Sequence, residues 1–243
     1  MMVARGDPPR RPLAGFLLMT SPTSGAALVT GVSHGSMGHG IALALARKGC
    51  QVACIDVLSH EESLRAATAE ITAATGQRCL PLTADCTNRD ELTVAFGQAT
   101  AELGNLRVVV AAVGGAGYTG SRSPGQEVQD SPTFTTSDLG GGFSDMITTT
   151  QFATYHTMQL AAQAMLAHGE TARLIIIGSV MADMGRSGSA AYAVSKAAVR
   201  QLSKVLATEL GESPPPRFPM SVTLHHPVAA AYAPSRRSVG HHM

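Results

Sequence analysis

RLIIIGSVMADMGRSGSAAYAVSKAAVRQLSKVLATEL, residues 173–210, is the stretch that decides the fold. An apolar run, Leu174 to Ile177, meets Gly178 and Ser179. A loop rich in Gly and Ser follows. A helical pattern then begins near Ala190 and carries Tyr192 and Lys196. A short apolar run bounded by glycine reads as a buried strand, and the pattern after it as a helix.

The spacing carries chemistry. Tyr192 and Lys196 are four residues apart, so on a helix they share one face. Ser179 stands thirteen residues before Tyr192, at the mouth of the strand. A strand end and a helix start can bring three such polar groups to one point. A free tyrosine titrates near ~10 and is a poor base at neutral pH. A neighbouring ammonium favours the phenolate, and lowering the value by ~3 takes about 4 kcal/mol of differential stabilisation. Lys196 and a cationic nicotinamide ring are the candidate sources. Ser179 is then expected to hold a substrate oxygen, and Tyr192 to pass a proton while a cofactor passes a hydride. A bare Tyr-x-x-x-Lys is common. The serine, the apolar strand and a glycine-rich loop upstream are what give it weight.

That loop lies in TGVSHGSMGHGIALALARKG, residues 30–49. Ala26 to Thr30 reads as a short buried strand leading into it. Glycines at 31, 35, 38 and 40 precede a helix made largely of Ala and Leu. Glycine permits the tight turn and the close backbone approach. The helix N-terminus offers unpaired N–H groups and a favourable dipole to a pyrophosphate. Gln51 to Ile55 is the second strand and ends at Asp56, 25 residues after Gly31. An acid there accepts hydrogen bonds from both ribose hydroxyls of an adenosine half and repels a 2′-phosphate. Val57 offers no positive charge. His34 is the one nearby candidate cation, and histidine is mostly neutral at pH 7. NAD is therefore expected in preference to NADP.

Strand and helix go on alternating. Glu61 to Ala74 reads as a helix, Arg78 to Thr83 as a strand leading to Asp85 and Cys86, and Asn88 to Glu102 as a helix with Thr87 or Asn88 near its cap. Leu106 to Val113 is almost continuously apolar, as in a parallel sheet buried on both faces, and Gly114, Gly115 and Gly117 end it. Residues 116–142 break the pattern with Ser, Thr, Gly and Pro, and a loop of that length is functional or mobile. A long helix over Phe143 to Ala167 leads into the central stretch. Pro214–Pro215–Pro216 and a short strand near Met220 to Leu224 come after it. The alternation predicts one α/β domain: a Rossmann-type doubly wound parallel sheet with helices on both faces.

Composition sets limits. A formal charge of +1 gives no electrostatic case for nucleic acid or an anionic membrane. Aromatics are 4% and Trp is absent, so the core must rest on Ala, Val, Leu, Ile and Met. No apolar run reaches the ~20 residues of a membrane-spanning helix. Cys50, Cys54, Cys79 and Cys86 match neither a zinc ribbon nor a disulfide framework. Their usage points to a reducing, cytoplasmic setting. Residues 1–24 carry Pro8, Pro9, Pro12 and Pro22 and are expected to be a disordered extension. Arg5, Arg10 and Arg11 before an apolar run imitate a targeting segment weakly. His225, His226, His241 and His242 have no Asp, Glu or Cys near them, so no metal site is expected.

These residues together resemble the short-chain dehydrogenase/reductase family, over about residues 25–228. TGVSHGSMG is similar to the family's TGxxxGxG cofactor loop, with one extra residue between Gly35 and Gly38. The resemblance makes Gly31, Ser33, Gly35, Met37 and Gly38 cofactor-loop residues. It makes Asp56 the acid that marks NAD preference, and Asp85, beside Cys86, the acid that meets the adenine. Ala112 and Gly114 fall in the segment after the fourth strand, and Pro227 matches the proline after the sixth. Ser179, Tyr192 and Lys196 match the catalytic residues, and Tyr192 and Lys196 also contact the cofactor. The implied partner is a small-molecule alcohol or carbonyl substrate, in a homodimer or homotetramer that pairs the two long helices.

The departures are as specific as the matches. The family's Asn-Asn-Ala-Gly stands here as Ala111–Ala112–Val113–Gly114, and Thr150 takes the place of the catalytic asparagine. A threonine can bind a water but cannot copy an amide. Val228 replaces a glycine, and the tail from residue 229 does not resemble the substrate helix and seventh strand. An altered or truncated C-terminus without that strand is expected. Two functions remain open: an enzyme interconverting an alcohol and a ketone or aldehyde, and a degenerate member that binds nucleotide with little turnover. Enoyl reduction or epimerisation on the same scaffold fits the Ser–Tyr spacing less well.

Overall fold

β1, Ala26–Thr30, is buried along its whole length, and the sheet is built outward from it. The computed structural model describes residues 25–114, 142–184, 189–211 and 220–225. Beside β1 run β2, Gln51–Asp56, and β3, Cys79–Thr83; on its other side run β4, Leu106–Ala111, β5, Ala172–Ile177, and β6, Met220–His225. The order is β3-β2-β1-β4-β5-β6, and every pairing is parallel. The connections are α1 (Met37–Arg47), α2 (Glu61–Thr75), α3 (Arg89–Leu103), α4 (Ser144–Ile147), α5 (Ala153–His168) and α6 (Ala190–Gly211). The strand order reverses between β1 and β4, and a crevice opens there at the carboxyl ends of the strands.

The alternation of side chains along β1 divides the core in two. Ala27 and Val29 face Ala42 and Ala46 of α1 and Leu64 and Ile71 of α2. Leu28 faces the other way, into a cluster with Phe96 of α3, Met158 and Met165 of α5 and Val199 of α6. Ala42 and Ala46 of α1 cluster with Ala27 and Val29 of β1 and Val52 of β2, so small side chains lie between the helix and these strands. Cys50 and Cys54 are packed in the same layer as small buried side chains.

The element boundaries differ from expectation in one way that matters. The long helix expected over Phe143 to Ala167 is interrupted: a π-turn, Thr148–Phe152, joins α4 to α5. It falls on the β-branched run Thr148–Thr149–Thr150, whose side chains crowd a regular helix. Thr150 is left fully buried, packed against Gly114. Asn88 is the cap of α3, its side chain accepting from the N–H groups of Asp90 and Glu91. β6 stands at the edge of the sheet among the described residues. The N-terminal extension, most of loop 116–142, Pro227, Val228 and the tail lie outside the described residues. No helix among the described residues is long and apolar enough to cross a membrane.

Candidate active site

The glycine loop leaves β1 by a forced path. The N–H groups of Gly31 and Val32 both donate to the carbonyl of Ile55, at 2.8 and 3.2 Å. Gly31 has φ of +77°, and a Cβ there would lie 3.1 Å from the backbone of Ala112 and Val113. Gly38 is tighter: a Cβ would stand 2.2 Å from the Gly31 carbonyl oxygen. The first turn of α1 therefore rests directly on the end of β1, which only glycine allows. Ser36 closes the turn. Its hydroxyl donates to the Gly31 carbonyl at 3.2 Å and accepts from the His39 N–H at 3.1 Å, capping α1.

At the end of β2 the Asp56 carboxylate is 9% exposed and held from three sides. The Ser33 hydroxyl donates to Oδ2 at 2.7 Å, the N–H of Val57 donates to Oδ1 at 2.8 Å, and His60 Nδ1 lies 3.0 Å from Oδ1. His60 comes back to Asp56 because a single 3-10 turn, Leu58–His60, follows the strand. This corrects the expectation that His34 is the one candidate cation near Asp56. His34 turns outward and pairs with Glu70 of α2 at 2.9 Å. Asp85 Oδ1 accepts from both the N–H and the hydroxyl of Thr87, each at 2.8 Å. Burial, reinforced by Asp56 and Asp85, pushes the Cys86 thiol up to about 12, so it stays protonated.

The third corner is Lys196. It is 2% exposed, and its Nζ donates to the Ile177 carbonyl at 2.9 Å, where β5 ends. Burial lowers its pKa to about 8. The same Nζ stands 5.9 Å from the centre of the Tyr192 ring, one turn earlier on α6. Gly114 closes the other side, where a Cβ would be 3.2 Å from Lys196 Nζ and from Thr150 Oγ1. Among the described residues Thr150 donates to the thioether of Met146, at 3.6 Å, a weak acceptor. Ser179 is 8% exposed and accepts from the Met181 N–H at 3.2 Å, capping the turn after β5.

One cavity of about 630 Å³ joins these corners. Gly31, Ser33, Met37 and Gly38 line it at one end, Asp56, Asp85 and Cys86 beside them, and Ala112, Gly114, Tyr192 and Lys196 at the other. Gly35, Thr150 and Ser179 do not line it; Ile177 and Gly178 form the wall next to Ser179. The volume suits a small-molecule ligand or cofactor. The two positions where a Cβ would strike backbone, Gly31 and Gly38, leave bare main chain facing it.

The short-chain dehydrogenase family model matches residues 25–214. The chain belongs to this family. It is 28% identical over 183 residues to 2-dehydro-3-deoxy-D-gluconate 5-dehydrogenase of Escherichia coli, covering 75% of this chain and 64% of that protein. It is 33% identical over 192 residues to a hydroxynaphthalene reductase-like protein of Metarhizium robertsii, covering 79% and 64%. The chain thus spans less than two thirds of the length of these relatives. A short-chain type dehydrogenase/reductase of Mycobacterium marinum superposes with a TM-score of 0.68 at 28% identity, over 86% of this chain and 76% of that one.

Among the residues that line the cavity and that the sequence reading did not name as site residues are Ser36 and His60. Ser36 had a signal, a serine just before an Ala- and Leu-rich helix. His60 had none, because its place beside Asp56 depends on the turn after β2.

Proposed function

We propose that the chain is an oxidoreductase that interconverts an alcohol and a ketone or aldehyde with NAD(H). The observation that carries this reading is the buried ammonium of Lys196, enclosed by Gly114 and Ile177 and set beneath the Tyr192 ring. A charge so far out of water is costly, and a structural lysine would reach the surface. Gly31, Ser33, Met37 and Gly38 would hold the pyrophosphate end of a dinucleotide, Asp56 the ribose, and Asp85 the adenine. Bound there, a nicotinamide supplies or accepts the hydride.

The chain's own groups do the rest. Lys196 keeps a positive charge near Tyr192 and favours its phenolate. Tyr192 gives a proton to the substrate oxygen during reduction and takes it back during oxidation. Ser179, whose oxygen accepts from the Met181 N–H, would orient the substrate oxygen. Asp56 favours NAD(H), since its carboxylate accepts hydroxyl protons and repels a 2′-phosphate. The exposed Phe152 and Tyr155 border an apolar groove between α5 and α6, and this face would pair with a second copy. A second reading, a nucleotide-binding member with little turnover, rests on Thr150, which offers no amide where the asparagine would stand.

The test is hydride transfer over a panel of alcohols and ketones with both cofactors. Tyr192→Phe should reduce turnover by at least about 100-fold and leave nucleotide affinity nearly unchanged. Turnover that survives this change places the proton transfer elsewhere. Nucleotide binding with no turnover on any substrate supports the second reading.

A further inference from the structure

The first turn of α1 carries a histidine that the nucleotide cavity does not use. His39 is 7% exposed. Its Nδ1 accepts the Gly35 N–H at 3.1 Å, and its Nε2 is buried with no hydrogen-bond partner among the described residues. A buried polar atom left without a partner calls for an explanation. Glu70 Oε2 lies 3.8 Å away, beyond hydrogen-bond reach. That same oxygen lies 2.9 Å from His34 Nε2, and the two imidazole rings are 5.2 Å apart between centres. The backbone holds this grouping in place: the His34 N–H donates to the Ser63 hydroxyl of α2 at 2.8 Å, tying the loop to the helix that carries Glu70.

We propose that His34, His39 and Glu70 form a binding site for a divalent transition metal of the zinc type. Their three ligand atoms lie within 4.8 Å of one another. Ligands held ~2.0–2.1 Å from a tetrahedral zinc stand about 3.3–3.4 Å apart. The two nitrogen-to-oxygen distances here, 2.9 and 3.8 Å, fall on either side of that value. Two imidazoles and one carboxylate are a zinc ligand set. His34 and Glu70 have half-exposed side chains, so a water can take the fourth position.

The site has a signature. The metal takes the Nε2 lone pair of a neutral ring, which leaves the ring proton on Nδ1. Nδ1 then no longer accepts, and the Gly35 N–H must leave it. Gly35 has φ of +77° and nothing within 4 Å of where a Cβ would stand, so the loop has room to turn there. Metal binding therefore switches the His39 tautomer, which the simple ion pair between His34 and Glu70 does not require.

The test is titration of the full chain, without nucleotide, with Co²⁺ as a visible-absorption probe and Zn²⁺ as competitor, with histidine nitrogen NMR on the zinc-loaded protein. One equivalent should bind with a tetrahedral Co²⁺ spectrum, and zinc should move the His39 proton from Nε2 to Nδ1. Glu70→Gln and His34→Ala, both at half-exposed positions and so expected to fold, should each weaken binding at least about tenfold. His39→Gln should do the same. His241→Ala with His242→Ala, in the tail, should leave it unchanged. Absence of a Co²⁺ spectrum overturns the proposal, as does binding that the tail change removes and the loop changes keep. Binding with an unaltered His39 tautomer also overturns it.

Discussion

Replacing Lys196 by methionine should abolish turnover and make the protein more stable at neutral pH. The side chain is 2% exposed, and burial brings its pKa from 10.5 to about 8. That drop corresponds to about 3 kcal/mol. Below pH 8 the lysine is charged in both the folded and unfolded chain, and the folded state carries the full cost. Between pH 8 and 10.5 the unfolded chain holds more protons, so stability rises with pH; above that window both forms are neutral and the cost is gone. Methionine is similarly long and flexible and carries no charge. It leaves the Ile177 carbonyl without the donor it has at 2.9 Å, a loss of ~1–2 kcal/mol. The net gain at pH 7 is then about 1–2 kcal/mol, or roughly 2–8 °C in melting temperature. Near pH 10.5 the sign should reverse, because the lysine is then neutral and still donates. Urea unfolding of both proteins at the two pH values measures this directly. A Lys196→Met protein that is less stable at pH 7 refutes the reasoning. So does a difference from the parent that stays constant across the pH range.

Asp56→Ala should raise the NADP(H)-to-NAD(H) affinity ratio by roughly tenfold or more in calorimetry, since a fixed negative charge is removed from the ribose end. Adding His60→Gln should take back part of that gain, because the His60 ring, 3.0 Å from the Asp56 carboxylate, is then left to hydrogen-bond a 2′-phosphate. Gly38→Ala should cost ~1–3 kcal/mol and weaken nucleotide binding at least about tenfold, because its Cβ would meet the Gly31 carbonyl oxygen at 2.2 Å. Gly40→Ala, two residues on in the same helix and with nothing within 4 Å of its Cβ, should instead be neutral or stabilising by up to ~1 kcal/mol in thermal melts. Equal effects of the two changes would remove the packing argument for Gly38.

The parallel sheet was legible because its evidence is local. Val108 to Ala111 and Leu174 to Ile177 are apolar throughout, as strands covered on both faces must be. The glycine loop and the Tyr192–Lys196 pair could be read because their geometry is set by spacing along one turn or one helix. Thr150 could be aligned with the missing asparagine from its position. Its complete burial could not be foreseen, because it comes from the π-turn that interrupts the helix.

The sequence by itself determined the order of strands and helices, the glycines at the mouth of β1, and the residue types at Asp56, Ser179, Tyr192 and Lys196. These follow from patterns that operate over a few residues: period, turn chemistry and spacing. Only the tertiary structure decided which distant groups meet. Glu70 reaches His34 across 36 positions. His60 folds back onto Asp56 through one short turn. Gly114 comes from the end of β4 to shut Lys196 away from water. Such contacts depend on how helices pack across a sheet, and packing joins residues with no periodic relation along the chain.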